Sequence, residues 1–218
     1  DASIWELFPY LSIGAEVYVV SEKDRYDVKR LNQKFIENKV SIAFLPTVVF
    51  EKFSKESNPY LKTLLTGAEK LHYFSEQSYD QYNNYGPTEY TVVATSFKLE
   101  KNTDNIPIGK PIANTTALVM SNDRNFLPIG FKGELYLGGD SLSSGYLNDS
   151  KKTKNSFIEL GQITGQVFYK TGDMVAYTDS GELLYYGRVD NQIKINGYRV
   201  ELQDIENNIL EVIGKDTH

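Results

Sequence analysis

The chain contains no cysteine, which excludes a disulfide framework and any thiolate zinc site. No apolar run approaches the roughly 20 residues a helix needs to span a bilayer, and no charged-then-apolar leader is present. Basic residues are in deficit: 23 Lys and Arg against 29 Asp and Glu leave a net charge of −6. No basic patch stands out, so neither nucleic acid nor a membrane is an expected partner. No internal repeat or low-complexity tract appears. What is there is ordinary globular composition, 40% hydrophobic and 24% charged over 218 residues. That is enough for a real core in one large domain or two small ones. A soluble cytoplasmic protein is the expectation. The sequence starts at Asp1-Ala2-Ser3 and stops at His218, directly after an amphipathic stretch. Both ends are expected to be cut from something longer.

The first hundred residues alternate strand-like and helix-like segments. Glu16 to Val20 reads as a strand. Val28, Leu31, Phe35 and Ile36 lie at helical spacing, Ile42 to Leu45 reads as a short buried strand stopped by Pro46, Thr47 to Phe53 as a helix, and Leu61 to Leu65 as another strand. This order predicts an α/β layer over residues 1–100. Past the polar connector Asn102 to Asn105, turn signals recur at Asn122-Asp123, Pro128-Ile129-Gly130, Gly138-Gly139 and Asp179-Ser180-Gly181. They predict a mostly β part over 101–189. Asn196-Gly197 between Ile193-Lys194-Ile195 and Tyr198-Arg199-Val200 predicts a hairpin, because both turn positions tolerate positive φ. Leu202, Ile205, Ile209 and Val212 then fall on one helical face.

Three segments carry chemistry. Asn84-Tyr85-Gly86-Pro87-Thr88-Glu89 follows a strand ending in Tyr82-Asn83. A Gly-Pro turn there can present an aromatic face, a hydroxyl and a carboxylate to one cleft, groups that suit adenine, phosphate and a hard cation. In Tyr169-Lys170-Thr171-Gly172-Asp173 a strand is expected to end at Lys170, with a Gly turn placing a carboxylate just beyond. Such a carboxylate can accept hydrogen bonds from both hydroxyls of a ribose. In Tyr185 to Leu202 a strand leads into Gly187-Arg188, whose fixed donor fork suits a phosphate or ribose. Taken singly, each has an ordinary reading: a structural turn with a solvated Glu, an Asp favouring its own turn, a surface Arg paired with Asp190.

Taken together, Asp1 to Phe8, Asn84 to Glu89, Gly133 to Leu147, Tyr169 to Asp173 and Gly187 to Glu201 resemble, in order and spacing, the adenylation domains of nonribosomal peptide synthetases. These belong to the adenylate-forming group with acyl-CoA synthetases and firefly luciferase. The resemblance covers essentially the whole chain. It implies part of a large N-terminal subdomain, a layered α/β region followed by a distorted β-barrel, then a hinge and the start of a small C-terminal lid over 190–218. It implies ATP, hence AMP, and Mg²⁺ as ligands, and a carrier-protein phosphopantetheine thiol as acceptor. Tyr85 matches the residue that stacks on adenine, with Asn84 and Gly86 beside it. Asp173 matches the ribose-binding carboxylate and Tyr185 a nearby ribose contact. Thr88 lies near the phosphate, Glu89 matches the Mg²⁺ ligand, Arg188 the cation near ribose and α-phosphate, and Asp190 the lid hinge. Lys194 and Gly197 match the part of the lid that turns inward for thiolation. The amino-acid pocket falls on Asp1, Ala2, Trp5, Phe44, Leu65, Gly67, Asn84, Val92 and Val93, a leucine-type set. In it Asp1 pairs with the substrate ammonium, and Trp5 and Phe44 restrict depth. Isoleucine, valine and methionine are the expected competitors, since one methylene is worth only about 1–3 kcal/mol in such a pocket.

The sequence also departs from the family pattern. The Ser/Thr/Gly-rich phosphate loop expected before Asp1 does not occur, and no Gly-x-x-x-x-Gly-Lys-Ser/Thr replaces it. The late lid Lys expected past His218 does not occur either. The 218 residues alone are therefore expected to be inactive. Ser144 and Asn196 stand where Arg is common, which removes any expectation of a phosphate role for those positions. An acyl- or aryl-CoA synthetase of the same fold, and a non-catalytic truncated piece, are the rival readings; Asp1 and Trp5 argue against the first.

Overall fold

The structure is a computed structural model and describes residues 2–189, 192–195, 198–201 and 209. It opens with helix α1 (Ala2–Ser12), which carries Pro9 in its interior and buries none of its residues. Pro9 removes a backbone donor and is a poor helix residue, and no helix is legible there from periodicity. Trp5 nevertheless meets Phe44 edge-on, with ring centroids 5.4 Å apart. The strand expected over Glu16 to Val20 is not formed; that stretch is irregular and Val19 is exposed. An apolar run becomes a strand only when a ladder accepts it, and none of the described strands pairs with it.

Helix α2 (Val28–Glu37) follows, capped by the Asp27 carboxylate, which accepts from the backbone N–H groups of Lys29 and Arg30 at 3.1 and 3.2 Å. Its helical spacing is as expected, with Leu31 and Phe35 buried. Then come β1 (Ile42–Pro46), α3 (Thr47–Phe53), β2 (Thr63–Gly67) and β3 (Asp80–Tyr85). Pro46 both ends β1 and precedes the first turn of α3, and β2 begins two residues later than the strand expected from Leu61. A 3-10 turn (Thr88–Tyr90) leads to β4 (Thr95–Lys98) and β5 (Lys110–Pro111). The five strands form one sheet in the order β1-β2-β3-β4-β5, the first three parallel and the last two antiparallel. Leu31, Phe35, Phe50, Phe53, Leu64 and Phe74 make the core that seats α2 and α3 on the sheet. Each such side chain contributes about 1.5–3 kcal/mol by burial. This sheet continues past residue 100, since β5 pairs with β4.

The second sheet is antiparallel. It contains β6 (Thr115–Met120), β7 (Gly133–Gly139), β8 (Phe157–Leu160), β9 (Ile163–Tyr177) and β10 (Leu183–Arg188), with α4 (Ser150–Ser156) inserted before β8. The order is β10-β9-β7-β6, and β8 pairs with β9. The sequence shows no apolar periodicity for α4, whose residues are not buried. The expected turns at Asn122-Asp123, Ile129-Gly130 and Asp179-Ser180 separate strands, and Gly138-Gly139 closes β7. The two sheets are joined by Leu183, whose N–H donates to Gly109 and whose carbonyl accepts from Ile108, both at 2.8 Å. Tyr90, Ala94 and Ile108 pack with Leu135, Leu137 and Val175 in a second core. The expected hairpin is present as β11 (Gln192–Ile195) and β12 (Tyr198–Glu201), antiparallel. Its Asn196-Gly197 turn lies outside the described residues, as does the expected helix apart from Ile209.

Candidate functional site

A cleft of about 1670 Å³ opens beyond the C-terminal ends of β1, β2 and β3. That is where parallel strands leave backbone groups and loops converging on a ligand. Pro46, Gly67 and Asn84 lie in adjacent register there. Gly67 is required by close approach, because a Cβ on it would meet the Asn84 carbonyl oxygen. A Cβ on Gly86 would collide with the Val92 carbonyl and the Ala94 amide. The chain then turns back through Thr91 and Val92, both left-handed at φ 51° and 71°, and the Ala94 N–H donates to the Tyr85 carbonyl at 2.7 Å. A β-branched residue at positive φ is an outlier that its surroundings must enforce. Asn84 is buried and its Oδ1 accepts from the Ser96 hydroxyl at 2.7 Å.

The second sheet delivers a carboxylate to the same cleft. The strand expected to end at Lys170 does not end there: β9 runs unbroken from Ile163 to Tyr177. Gly172, at φ 75°, makes a bulge and not a turn. A four-residue step on β9, from Lys170 to Met174, lies opposite the two-residue step from Tyr136 to Glu134 on β7. Bulges of this kind re-aim side chains. Here the Gly172 N–H donates to Glu134 Oε1 at 2.9 Å, the Thr171 hydroxyl donates to the Leu135 carbonyl at 2.8 Å, and the Asp173 N–H donates back to Thr171 Oγ1 at 3.0 Å.

The result is a compact acid-aromatic cluster. Asp173 is 6% exposed. Its Oδ2 accepts from the Tyr85 hydroxyl at 2.5 Å, and its Oδ1 from Arg188 Nη1 at 3.1 Å and the Tyr185 hydroxyl at 3.5 Å. Arg188 also donates to the Thr171 carbonyl at 3.1 Å. Arg188 forms a part-buried ion pair with Asp173, and its expected partner Asp190 lies outside the described residues. Burial and then the Asp173 charge push the Tyr85 phenol well above its ordinary range, so it stays a donor. The Tyr85 and Tyr185 rings lie 6.4 Å apart.

Glu89 lies outside this cluster and is not among the residues lining the cleft. It lies in the 3-10 turn, is 7% exposed, and its Oε1 accepts from the Tyr146 hydroxyl at 2.6 Å. Among the described residues no group of three or more His, Cys, Asp or Glu gathers in metal-binding reach. One carboxylate beside a hydroxyl fits Mg²⁺, which is commonly held by one or two carboxylates together with substrate phosphates.

Of the sequence-predicted residues, Ala2, Trp5, Phe44, Gly67, Asn84, Tyr85, Gly86, Thr88, Val92, Val93, Asp173 and Arg188 all line the one cleft. Leu65, half-buried on β2 in register with Phe44 and Tyr82, does not reach its wall, and neither do Glu89 and Tyr185. Asp1 and Asp190 lie outside the described residues. Sequence reasoning assigned no role to Ser96, Thr171 or Tyr146. Tyr146 stands within a quoted motif, but its partner is 57 positions away, a pairing no local pattern displays.

A family model described as AMP-binding enzyme matches residues 1–147. Bacitracin synthase 1 of Bacillus licheniformis is 46% identical over 211 residues, 97% of this chain and 4% of that protein. Surfactin synthase subunit 1 of Bacillus subtilis (strain 168) is 44% identical over 206 residues, 94% of this chain and 6% of that one. Among solved structures, PA1221, a nonribosomal peptide synthetase protein containing adenylation and PCP domains, aligns at a TM-score of 0.74 and 30% identity over 84% of this chain and 40% of its own. The Vibrio cholerae adenylation domain AlmE, in complex with glycyl-adenosine-5'-phosphate, aligns at 0.81 and 27% over 91% of this chain and 40% of its own. The chain therefore spans a small part of these curated relatives and under half of these solved ones, within their large N-terminal subdomain. With its cleft at the strand ends and its family match over residues 1–147, the chain belongs to the AMP-binding enzymes.

Proposed function

We propose that this chain supplies the nucleotide, Mg²⁺ and amino-acid contacts of an adenylation domain that forms an aminoacyl adenylate from ATP, with leucine favoured, and passes it to a carrier-protein phosphopantetheine thiol. The reading is carried by one observation: an apolar wall of Trp5, Phe44 and Val93 and a polar wall of Tyr85, Thr88, Asp173 and Arg188 share a single cleft. The apolar wall suits an aliphatic side chain, and Asp1 is assigned to the substrate ammonium. The Tyr85 ring, with its hydroxyl tied to Asp173, offers a fixed face for adenine. Asp173 accepts from donors on both oxygens, the pattern a ribose diol can take over. Arg188 stands at that carboxylate with donors for ribose or α-phosphate. Attack of a carboxylate on the α-phosphate needs alignment and neutralisation of spreading charge more than covalent help. Mg²⁺ bound at Glu89 would supply part of that neutralisation. Residues from 190 onward are assigned to the hinge and lid.

The test is amino-acid-dependent ATP–pyrophosphate exchange by the full-length protein that contains this chain. Leucine should give the highest kcat/KM, with isoleucine, valine and methionine lower by about 10- to 200-fold. Asp173→Ala should raise the KM for ATP by about 10- to 100-fold, the value of one or two charge-assisted hydrogen bonds. Adenylation of fatty or aryl acids with no response to leucine would move the chain to the acyl-CoA synthetase reading.

A further inference from the structure

We propose that Tyr146 is the positioning residue for the cation-binding carboxylate: its hydroxyl holds Glu89 Oε1 so that the carboxylate meets Mg²⁺ in one fixed orientation. The inference rests on the reading of Glu89 as the Mg²⁺ ligand.

Three sets of observations carry it. First, Glu89 is nearly buried, and a buried carboxylate needs a donor to be tolerable; Tyr146 supplies one at 2.6 Å. Second, Tyr146 is itself fixed. Its ring stands edge-on to Phe157 at 5.7 Å, and Lys152 Nζ lies 4.7 Å from its centroid on another contact. Its backbone N–H donates to Thr153 Oγ1 at 2.9 Å. Gly145, at φ 124°, brings the loop so close to Thr153 that a Cβ there would meet the Thr153 side chain. Third, the same loop grips the turn that carries Glu89. The Ser143 N–H donates to the Glu89 carbonyl at 2.9 Å, the Thr91 hydroxyl to the Ser141 carbonyl at 2.8 Å, and the Tyr90 hydroxyl to the Gly138 carbonyl at 2.9 Å. Backbone and side chain of Glu89 are thus set by one segment, 138–146.

The experiment uses the full-length protein containing this chain. Mn²⁺ is titrated by electron paramagnetic resonance in the presence of a non-hydrolysable ATP analogue, and Mg²⁺ is titrated in leucine-dependent exchange. Tyr146→Phe keeps the ring and removes the donor. It should weaken Mn²⁺ by about 10-fold, the usual scale for losing a partner of a metal-bound carboxylate. The Mg²⁺ needed for half-maximal exchange should rise in proportion, while metal-free binding of the analogue stays as in the parent. Thr153→Val, which loosens the loop without touching the phenol, should shift Mn²⁺ affinity in the same direction by less, and it carries the test if Tyr146→Phe does not fold. Glu89→Gln separates the two readings. If Glu89→Gln weakens Mn²⁺ but Tyr146→Phe leaves it unchanged or tightens it, the role of Tyr146 is overturned. If Glu89→Gln also leaves Mn²⁺ unchanged, the assignment of the cation to Glu89 has failed first.

Discussion

Gly86 and Val92 approach closely where both line the cleft, the glycine without a Cβ and the valine at a φ of 71°. Gly86→Ala would drive a methyl into the Val92 carbonyl and the Ala94 amide. It should destabilise by about 1–3 kcal/mol, read in urea melts, and lower leucine-dependent exchange in the parent enzyme by displacing Asn84 and Tyr85. Tyr79 gives a prediction in pH. Burial, with the Glu56 charge adding, raises its phenol to about 12, against about 10 when unfolded. A folded value above the unfolded one contributes stability that is complete below about pH 10 and is lost as pH rises toward 12. Urea melts of the chain from about pH 9 to 11 should show stability falling above pH 10, and Tyr79→Phe should flatten that slope.

At the scale of elements, the first sheet depends on a buried amide network. Asn58 Nδ2 donates to Asn32 Oδ1 at 2.8 Å, Asn32 Nδ2 to the Ser57 carbonyl at 3.0 Å, and Asn58 Oδ1 accepts from Tyr60 and Leu61 amides at 2.9 and 3.0 Å. This ties α2 to the loop that enters β2. Asn58→Ala should cost about 1–3 kcal/mol for each donor or acceptor left stranded, measured as a shift in the denaturation midpoint with the slope unchanged. Neither Asn announces itself in the sequence, because an isolated polar residue looks the same whether buried or solvated. The helices with a periodic apolar face, α2 and α3, were legible, as were the short parallel strands and the turn dipeptides. Those without one were not: α1 and α4 bury nothing. The two strand errors share a cause. Glu16 to Val20 has strand composition but no partner among the described strands, and Tyr169 to Asp173 has turn composition but two flanking strands that hold it in the ladder. Pairing is non-local and a local pattern does not report it. The cleft residues were legible through ordered motifs, whereas the hydrogen bonds among them, Tyr85 to Asp173 and Tyr146 to Glu89, emerge only when segments 88 and 57 positions apart meet.

For the molecule as a whole, the 218-residue chain expressed alone should fold through its two packed sheets yet show no leucine-dependent exchange, since no phosphate-loop motif occurs in its sequence. Robust exchange by that chain would show the loop and the lid Lys to be dispensable. The join between the sheets has a further consequence, for engineering. The apolar wall of the cleft comes from the first hundred residues, which invites a graft at the polar connector near residue 100 to move specificity between synthetases. Such a crossover would draw Tyr85 and Glu89 from one parent and Asp173 and Tyr146 from the other, separating both pairs at once. Chimeras cut outside residues 85–188 should keep their nucleotide and cation requirements, and those cut at 100 should lose them even when every pocket residue has been transplanted intact.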